Sequence, residues 1–193
     1  SGAIGTDIGT LTVTQSGGTT FSGAVSAGGS VILSDTTGTI TFSGALTTPT
    51  LITAAQDYHL ILAGDGTTLT QAFTPVNTGN LTLGGSAGTT QTYEGGLDTR
   101  GVGGTVTLKG TIQASDDALT LGAVTLGANT VISTVASSNS ADLSLGAVTG
   151  GGYNLTLTTG AIAGATISGT SASGLGTLTV TQSGGTTFSG AVS

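Results

Sequence analysis

The chain has 193 residues, of which 36 are Gly and two are Pro; it has no Cys, Met or Trp, 36% hydrophobic and 6% charged residues, and a formal net charge of −7. With Arg100 and Lys109 as the only cations, it cannot assemble the phosphate-neutralising surface that nucleic acid requires, or a polybasic patch for anionic lipid. The lack of Cys removes disulfides, thiolate chemistry and zinc–thiolate sites, and no apolar run reaches transmembrane length.

Gly richness with so few charges does not predict disorder, which goes with low hydrophobicity and high net charge. The hydrophobic residues also alternate. In TLTVT (10–14), Leu11 and Val13 fall on one side and Thr10, Thr12 and Thr14 on the other, the period-2 pattern of a half-buried strand. QSGG (15–18) supplies turn residues, TTFSGAVS (19–26) alternates again with Phe21, Gly23 and Val25 on one side, and AGG (27–29) turns the chain once more. Further on, FSGAV (21–25) returns as FSGAL (42–46), and weaker versions are QAFTPV (71–76), TYEGGL (92–97) and TISGTS (166–171). ALTLGAVTLGANTVIST (118–134) matches DLSLGAVTGGGYNLTLT (142–158), pairing Leu119 with Leu143 and Leu121 with Leu145.

The largest repeat spans the chain. GTLTVTQSGGTTFSGAVS occurs at 9–26 and again at 176–193, so that Gly9 recurs as Gly176. Together with the absence of Met, this reads as a segment of a longer repetitive polypeptide, with 1–167 as one full unit and 168–193 as the start of the next, equivalent to 1–26. Taking Phe21, Phe42, Phe73, Tyr93, Leu121, Leu145, Ile167 and Phe188 as coil anchors divides the unit into seven unequal steps. Short strands, Gly-rich turns and no helical periodicity predict an all-β fold, a parallel β-solenoid with about seven coils per unit. Tandem antiparallel sandwich modules are the alternative. The two longest steps are expected to hold an added loop or short strand: Phe42 to Phe73, with 51–66, and Tyr93 to Leu121, with DTRGVGG and QASDD. Leu178, Val180, Phe188 and Val192 at the repeat junction are expected to take places equivalent to Leu11, Val13, Phe21 and Val25.

Stretches such as NLTLTTGAIAG, TFSGAVSAGGS and LTLGAVTLGANT make the chain similar to the β-strand repeat regions of very large bacterial surface proteins, including filamentous-haemagglutinin-like adhesins and autotransporter-type passengers. That resemblance is one of composition and period over the whole chain. It implies a parallel β-helical shaft displayed outside the cell that extends or scaffolds, with adhesive binding often residing elsewhere in the polypeptide.

No enzymatic site is expected. His59 in DYHLIL (57–62) falls on the side opposite Tyr58, Leu60 and Leu62, towards solvent, and the nine carboxylates are scattered, with Asp116 and Asp117 marking a turn. The calcium-binding pattern of Gly-rich β-helices is absent: GDG (64–66) and GGLDTRGVGG (95–104) share only its Gly content, so neither metal nor cofactor is expected. Asn80 and Asn154 fit the glycosylation sequon but read as turn caps or a polar ladder, and Lys109 as an exposed strand cation. Outward Thr12, Thr82, Thr107, Thr120, Thr156 and Thr179, stacked coil upon coil, would form a regular hydroxyl surface, although unequal coil lengths would disturb its lattice. The sequence therefore predicts a structural repeat of an extracellular fibre, sheath or adhesin shaft whose partner is itself, stacked end to end, with lateral bundling of such fibres as a further self-contact. The alternative is a surface-binding module for glycans or ice.

Overall fold

A computed structural model describes residues 3–5 and 7–193, so Ser1, Gly2 and Thr6 within the expected 1–26 equivalence lie outside the described residues. The alternating segments become twenty strands. β1 (Thr10–Thr14), β2 (Thr19–Phe21) and β3 (Val25–Ser26) form a first turn. Each pairs in parallel with its counterpart in the next turn: β4 (Ser30–Ser34), β5 (Gly38–Phe42) and β6 (Leu46–Thr48). The same relation carries through β7 (Thr50–Ile52), β8 (Tyr58–Leu62), β9 (Thr67–Leu69), β10 (Leu81–Leu83), β11 (Thr90–Tyr93) and β12 (Leu97–Asp98). Every registered pairing is parallel, so the antiparallel alternative falls and the chain is a β-solenoid of about nine turns.

Three faces carry the strands. The second face gives the simplest ladder, with inward residues Thr19, Ile40, Leu60, Leu81, Val106, Val124, Val148, Ala172 and Val192 in successive register. The third runs from Ile4 through Val25 and Leu46, then Thr67, Gln91, Ile112, Ile132, Leu157 and Val180. The first joins Leu11, Val31 and Leu51, breaks after β7, and resumes as Phe73, Leu97, Leu119, Leu143, Ile167 and Thr186. The break coincides with Pro75, which has no amide hydrogen to give to a ladder. Later strands bend round a corner and serve two faces: β13 (Val106–Ala114) and β15 (Val124–Ala136) the second and third, β16 (Leu143–Thr149) and β18 (Ile167–Ser173) the first and second. Between them, β14 (Leu119–Leu121) and β20 (Thr186–Phe188) lie on the first face, and β17 (Leu155–Gly160) and β19 (Leu178–Gln182) on the third.

Side chains from all three faces meet in one thin core. The Phe21 and Phe42 rings stack with centroids 4.7 Å apart, and Phe73 on the first face stacks on Tyr93 of the third at 6.0 Å. The corners explain the recurrent FSGA motif. An ideal Cβ placed on Gly44 would lie 2.6 Å from Ala24 N and Gly23 O of the turn before, so only glycine lets two backbone corners stack at strand spacing.

The long anchor steps resolve unequally. Of the two expectations for residues 51–66, added strand rather than added loop holds: they run through β7, β8 and an ordinary corner, and Phe42 pairs with Leu62 rather than with Phe73. The step from Tyr93 to Leu121 includes a corner at 99–105, but the turn from Leu81 to Val106 is longer than the preceding one from Leu60 to Leu81 mainly because of a widened corner at 84–89, ahead of β11.

Candidate functional surfaces

The eight anchors do not form one column. Phe21 and Phe42 are neighbours on the second face; Phe73, Leu121, Leu145, Ile167 and Phe188 lie on the first, and Tyr93 on the third. Each turn has several inward positions, and a large side chain fills whichever one has room, so residue size does not mark a face. Phe188 is an example: its ring occupies the place where a Cβ on Gly169 would sit, one turn below.

The two copies of the repeated segment are likewise on different faces. The strand holding Leu11 and Val13 lies on the first face, whereas that holding Leu178 and Val180 lies on the third, paired to Leu155 and Leu157. Phe21 is on the second face and Phe188 on the first; Val25 is on the third and Val192 on the second. The expected positional equivalence is thus replaced by a displacement of one face, with the inward direction of each side chain kept. Burial differs as well. Val13 and Val25 are 8% and 1% exposed, while Val180 and Val192 at the open end are 41% and 48% exposed.

On the outer surface the Thr ranks are in register. The second face presents Thr20, Thr41, Ile61, Thr82, Thr107, Thr125, Thr149 and Ser173 as successive neighbours. The third presents Ser26, Thr47, Thr68, Thr92, Gln113, Ser133, Thr158 and Gln182. Of the six expected outward Thr, Thr12 and Thr120 are on the first face, Thr82 and Thr107 on the second, and Thr156 and Thr179 on the third. Unequal turn lengths leave these ranks intact because the extra residues are held in corners.

Neither rank carries a charged residue, and apart from Asp98 on β12 and Lys109 in β13 the charges gather at corners. Asp65 accepts the Thr90 amide at 2.8 Å, an Asp–Gly turn that ties one corner to the next turn. Asp116 takes a positive φ of 65° and gathers the Ser137 and Ser138 amides and both Ser hydroxyls, with the Ser138 amide at 3.0 Å and the hydroxyls at 2.7 and 2.8 Å. These donors, the Ser137 amide first, hold the Asp116 carboxyl well below the usual carboxylate range. On the first face Asp98 pairs with Arg100 at 2.6 Å, and that hydrogen-bonded guanidinium lowers its pKa.

His59 is exposed on the outer side of β8, where its Nδ1 accepts the Asn80 amide at 2.9 Å. Asn80 Oδ1 in turn accepts the Thr105 amide at 2.9 Å, and Asn129 Oδ1 accepts the Asn154 amide at 3.0 Å, so these Asn link one turn to the next. Lys109 is half-buried at the bend of β13. Among the described residues no three His, Asp or Glu side chains gather as a metal-binding group. A groove on the first face, bordered by Phe73, Gly95, Asp98 and Asp117, follows the break in that ladder.

Sequence reasoning missed a polar section of the core. Gln91 is fully buried on the third face; its Nε2 donates to Leu62 O at 2.7 Å and its Oε1 accepts from Tyr93 Oη at 2.9 Å. The alternation at TQTY placed Gln91 and Tyr93 on the same side, which was the available signal.

These surfaces and the fold define a three-faced parallel β-solenoid with largely uncharged, hydroxyl-bearing outer ranks. Compared with protein-family models, with curated proteins and with solved structures, the chain matches none.

Proposed function

We propose that this chain is a structural unit of a long extracellular or cell-surface fibre, sheath or adhesin shaft, and that it acts without catalysis. The observation that carries this reading is the run of parallel, in-register ladders from β1 to β20, together with the recurrence of residues 9–26 at 176–193. A solenoid of this kind is stabilised by contacts between neighbouring turns, and an open end is completed by another turn of the same kind. The partner is therefore the same sequence, and the recurrence of residues 9–26 at 176–193 supplies a matching one. Electron microscopy and fibre diffraction test this: continuous filaments with an axial spacing of about 4.8 Å are expected. Discrete beads, or a monomer that stays monomeric at every concentration, would refute it.

A second reading is favoured by the register of Thr82, Thr107, Thr125 and Thr149, whose hydroxyls repeat at strand spacing on a face without charge. Such a surface suits ordered water better than a glycan, since glycans are usually gripped by exposed aromatic rings, Phe42, Tyr58, Phe73 and Tyr93 are buried, and the exposed Tyr153 stands at the corner after Thr149 rather than on the rank. Thermal hysteresis in the purified chain, lost on Thr107→Lys, would support ice binding over a purely structural role.

A further inference from the structure

The two copies of the repeated segment are identical in sequence and lie one face apart. Counting along the ladders, the strand of Leu11 and the strand of Leu178 are separated by seven complete turns and two further faces. The interval from Gly9 to Gly176 is therefore not a whole number of turns in this fold.

One local hydrogen bond of the segment is common to both settings. In the first copy the Gly18 amide donates to Ser16 Oγ at 3.1 Å, at the corner between the first and second faces. In the second copy the Gly185 amide donates to Ser183 Oγ at 3.1 Å, at the corner between the third and first faces. The Ser–Gly bond is kept at both corners while the backbone around it adapts: Gln15 and Gly18 take positive φ of 52° and 147°, whereas Gln182 lies within strand β19. Inward positions are inward in both copies, because strand alternation is the same on every face.

We propose that consecutive units, each equivalent to residues 1–167, form a screw: each unit is turned by one face, a third of a revolution, relative to the one before, and the fourth unit returns to the orientation of the first. This rests on the fibre reading given above. One unit advances about 37 Å and three about 110 Å, at about 4.8 Å per turn. Every surface feature of a unit is then displayed on three sides in succession. The charged corner of Asp98 and Arg100, on the first face here, would interrupt each side of the fibre once in three units. No side remains an uncharged hydroxyl plane for longer than two units, so fibres lying side by side match only at staggers set by the unit length.

The chain has no Cys, so engineered disulfides test the count of faces directly in the intact protein. Outward residues on adjacent parallel turns sit about 4.8 Å apart, inside the range of about 4.4–6.8 Å that a disulfide spans. Paired substitutions Thr41→Cys with Ile61→Cys, and Thr92→Cys with Gln113→Cys, join registered neighbours and should each close nearly completely under mild oxidation. A seven-coil threading that returned both copies to one face would instead place Thr41 near Ala72 and Thr92 near Thr120. Closure of those pairs, or failure of the first two, overturns the screw. In a polypeptide of several consecutive units, gold attached to the single Lys of each unit, Lys109, should mark three sides in rotation about 37 Å apart. Labels along a single side would overturn the screw and leave the fibre intact. If the disulfides close as expected but several units form separate beads, the fibre reading fails and the one-face offset stands.

Discussion

Replacing Gly44 by Ala tests what makes the corners of this solenoid. The new Cβ would lie 2.6 Å from both Ala24 N and Gly23 O, against an ordinary carbon contact of about 3.5–4.0 Å. Both opposing atoms are backbone, so relief requires the two corners to separate by about 1 Å. The hydrogen bonds that flank this corner are Ser43 N to Phe21 O and Val25 N to Ala45 O, both 2.8 Å, and such a separation carries them out of range. Two bonds carried out of range at about 1 kcal/mol each, plus an overpacking cost of about 1–3 kcal/mol, place the loss at about 3–5 kcal/mol. With an unfolding slope of about 2 kcal/mol/M, the urea midpoint should fall by about 1.5–2.5 M. Intrinsic fluorescence of the buried Tyr58 and Tyr93 reports the transition. Gly17→Ala is the control, since a Cβ there has nothing within 4 Å, and it should shift stability by no more than about 0.5 kcal/mol. Equal midpoints for the two variants would refute the claim that corner stacking selects glycine.

Tyr93→Phe should cost about 1–2 kcal/mol by leaving Gln91 Oε1 buried without its donor, read as a lower urea midpoint with an unchanged slope. Burial also raises the Tyr93 phenol above its ordinary value of 10.0; its contribution is full below that value and is lost as pH rises beyond it. The alkaline limb of the midpoint-against-pH curve should therefore flatten in the same variant. Asp116 has the opposite sign: its carboxyl is held below the ordinary 3.8, so its contribution is present above that value and disappears as pH falls through the lower folded one. Asp116→Asn should destabilise at neutral pH and remove part of the acid-side loss between about pH 5 and pH 2, measured by the same titration. Phe42→Ala, fully buried and stacked on Phe21, should cost about 3–5 kcal/mol, while Phe188→Ala at the open end should cost clearly less; thermal melts of the pair would detect a reversal.

The strands and their inward sides were legible because alternation is a local property. Leu11, Val13, Phe21 and Val25 all point inward as their spacing required, and so do their second copies. The parallel pairing was legible from close recurrences such as FSGAV at 21–25 and FSGAL at 42–46, too tightly spaced for a sandwich module and right for one turn. The number of faces crossed between the copies was not legible. Phe42 resembles Phe73 in size and context, yet Leu62, an ordinary aliphatic, is its registered neighbour. Register here is decided by which residues can share a thin core and a Gly corner, and LAGDG at 62–66 performs the corner role of FSGA through Gly64 stacked on Gly44 without resembling it elsewhere. The Asp116 cluster was half legible: QASDD read as a turn, but its donors at Ser137 and Ser138 belong to the next turn, and separation along the chain hid them.

The placement of charge follows from the same stacking. A residue on an outer rank has its own counterparts about 4.8 Å above and below, so two carboxylates on adjacent rungs would repel by about 0.9 kcal/mol even at the dielectric of water. With nine acidic residues and only Arg100 and Lys109 to offset them, ranks of acids would repel along the whole axis. Corners escape this, because their lengths differ from turn to turn and their side chains are not forced into columns. There a carboxylate can turn back on the chain, as Asp65 does to the Thr90 amide and Asp142 to the Thr166 amide, and become a tie between turns. Thr fills the ranks instead: its branched Cβ suits an extended backbone, its hydroxyl satisfies water, and identical copies of it can stack without penalty. The low charge, the acidic balance and the abundance of Thr are thus consequences of one constraint, that each outer residue must tolerate its own likeness directly above and below it.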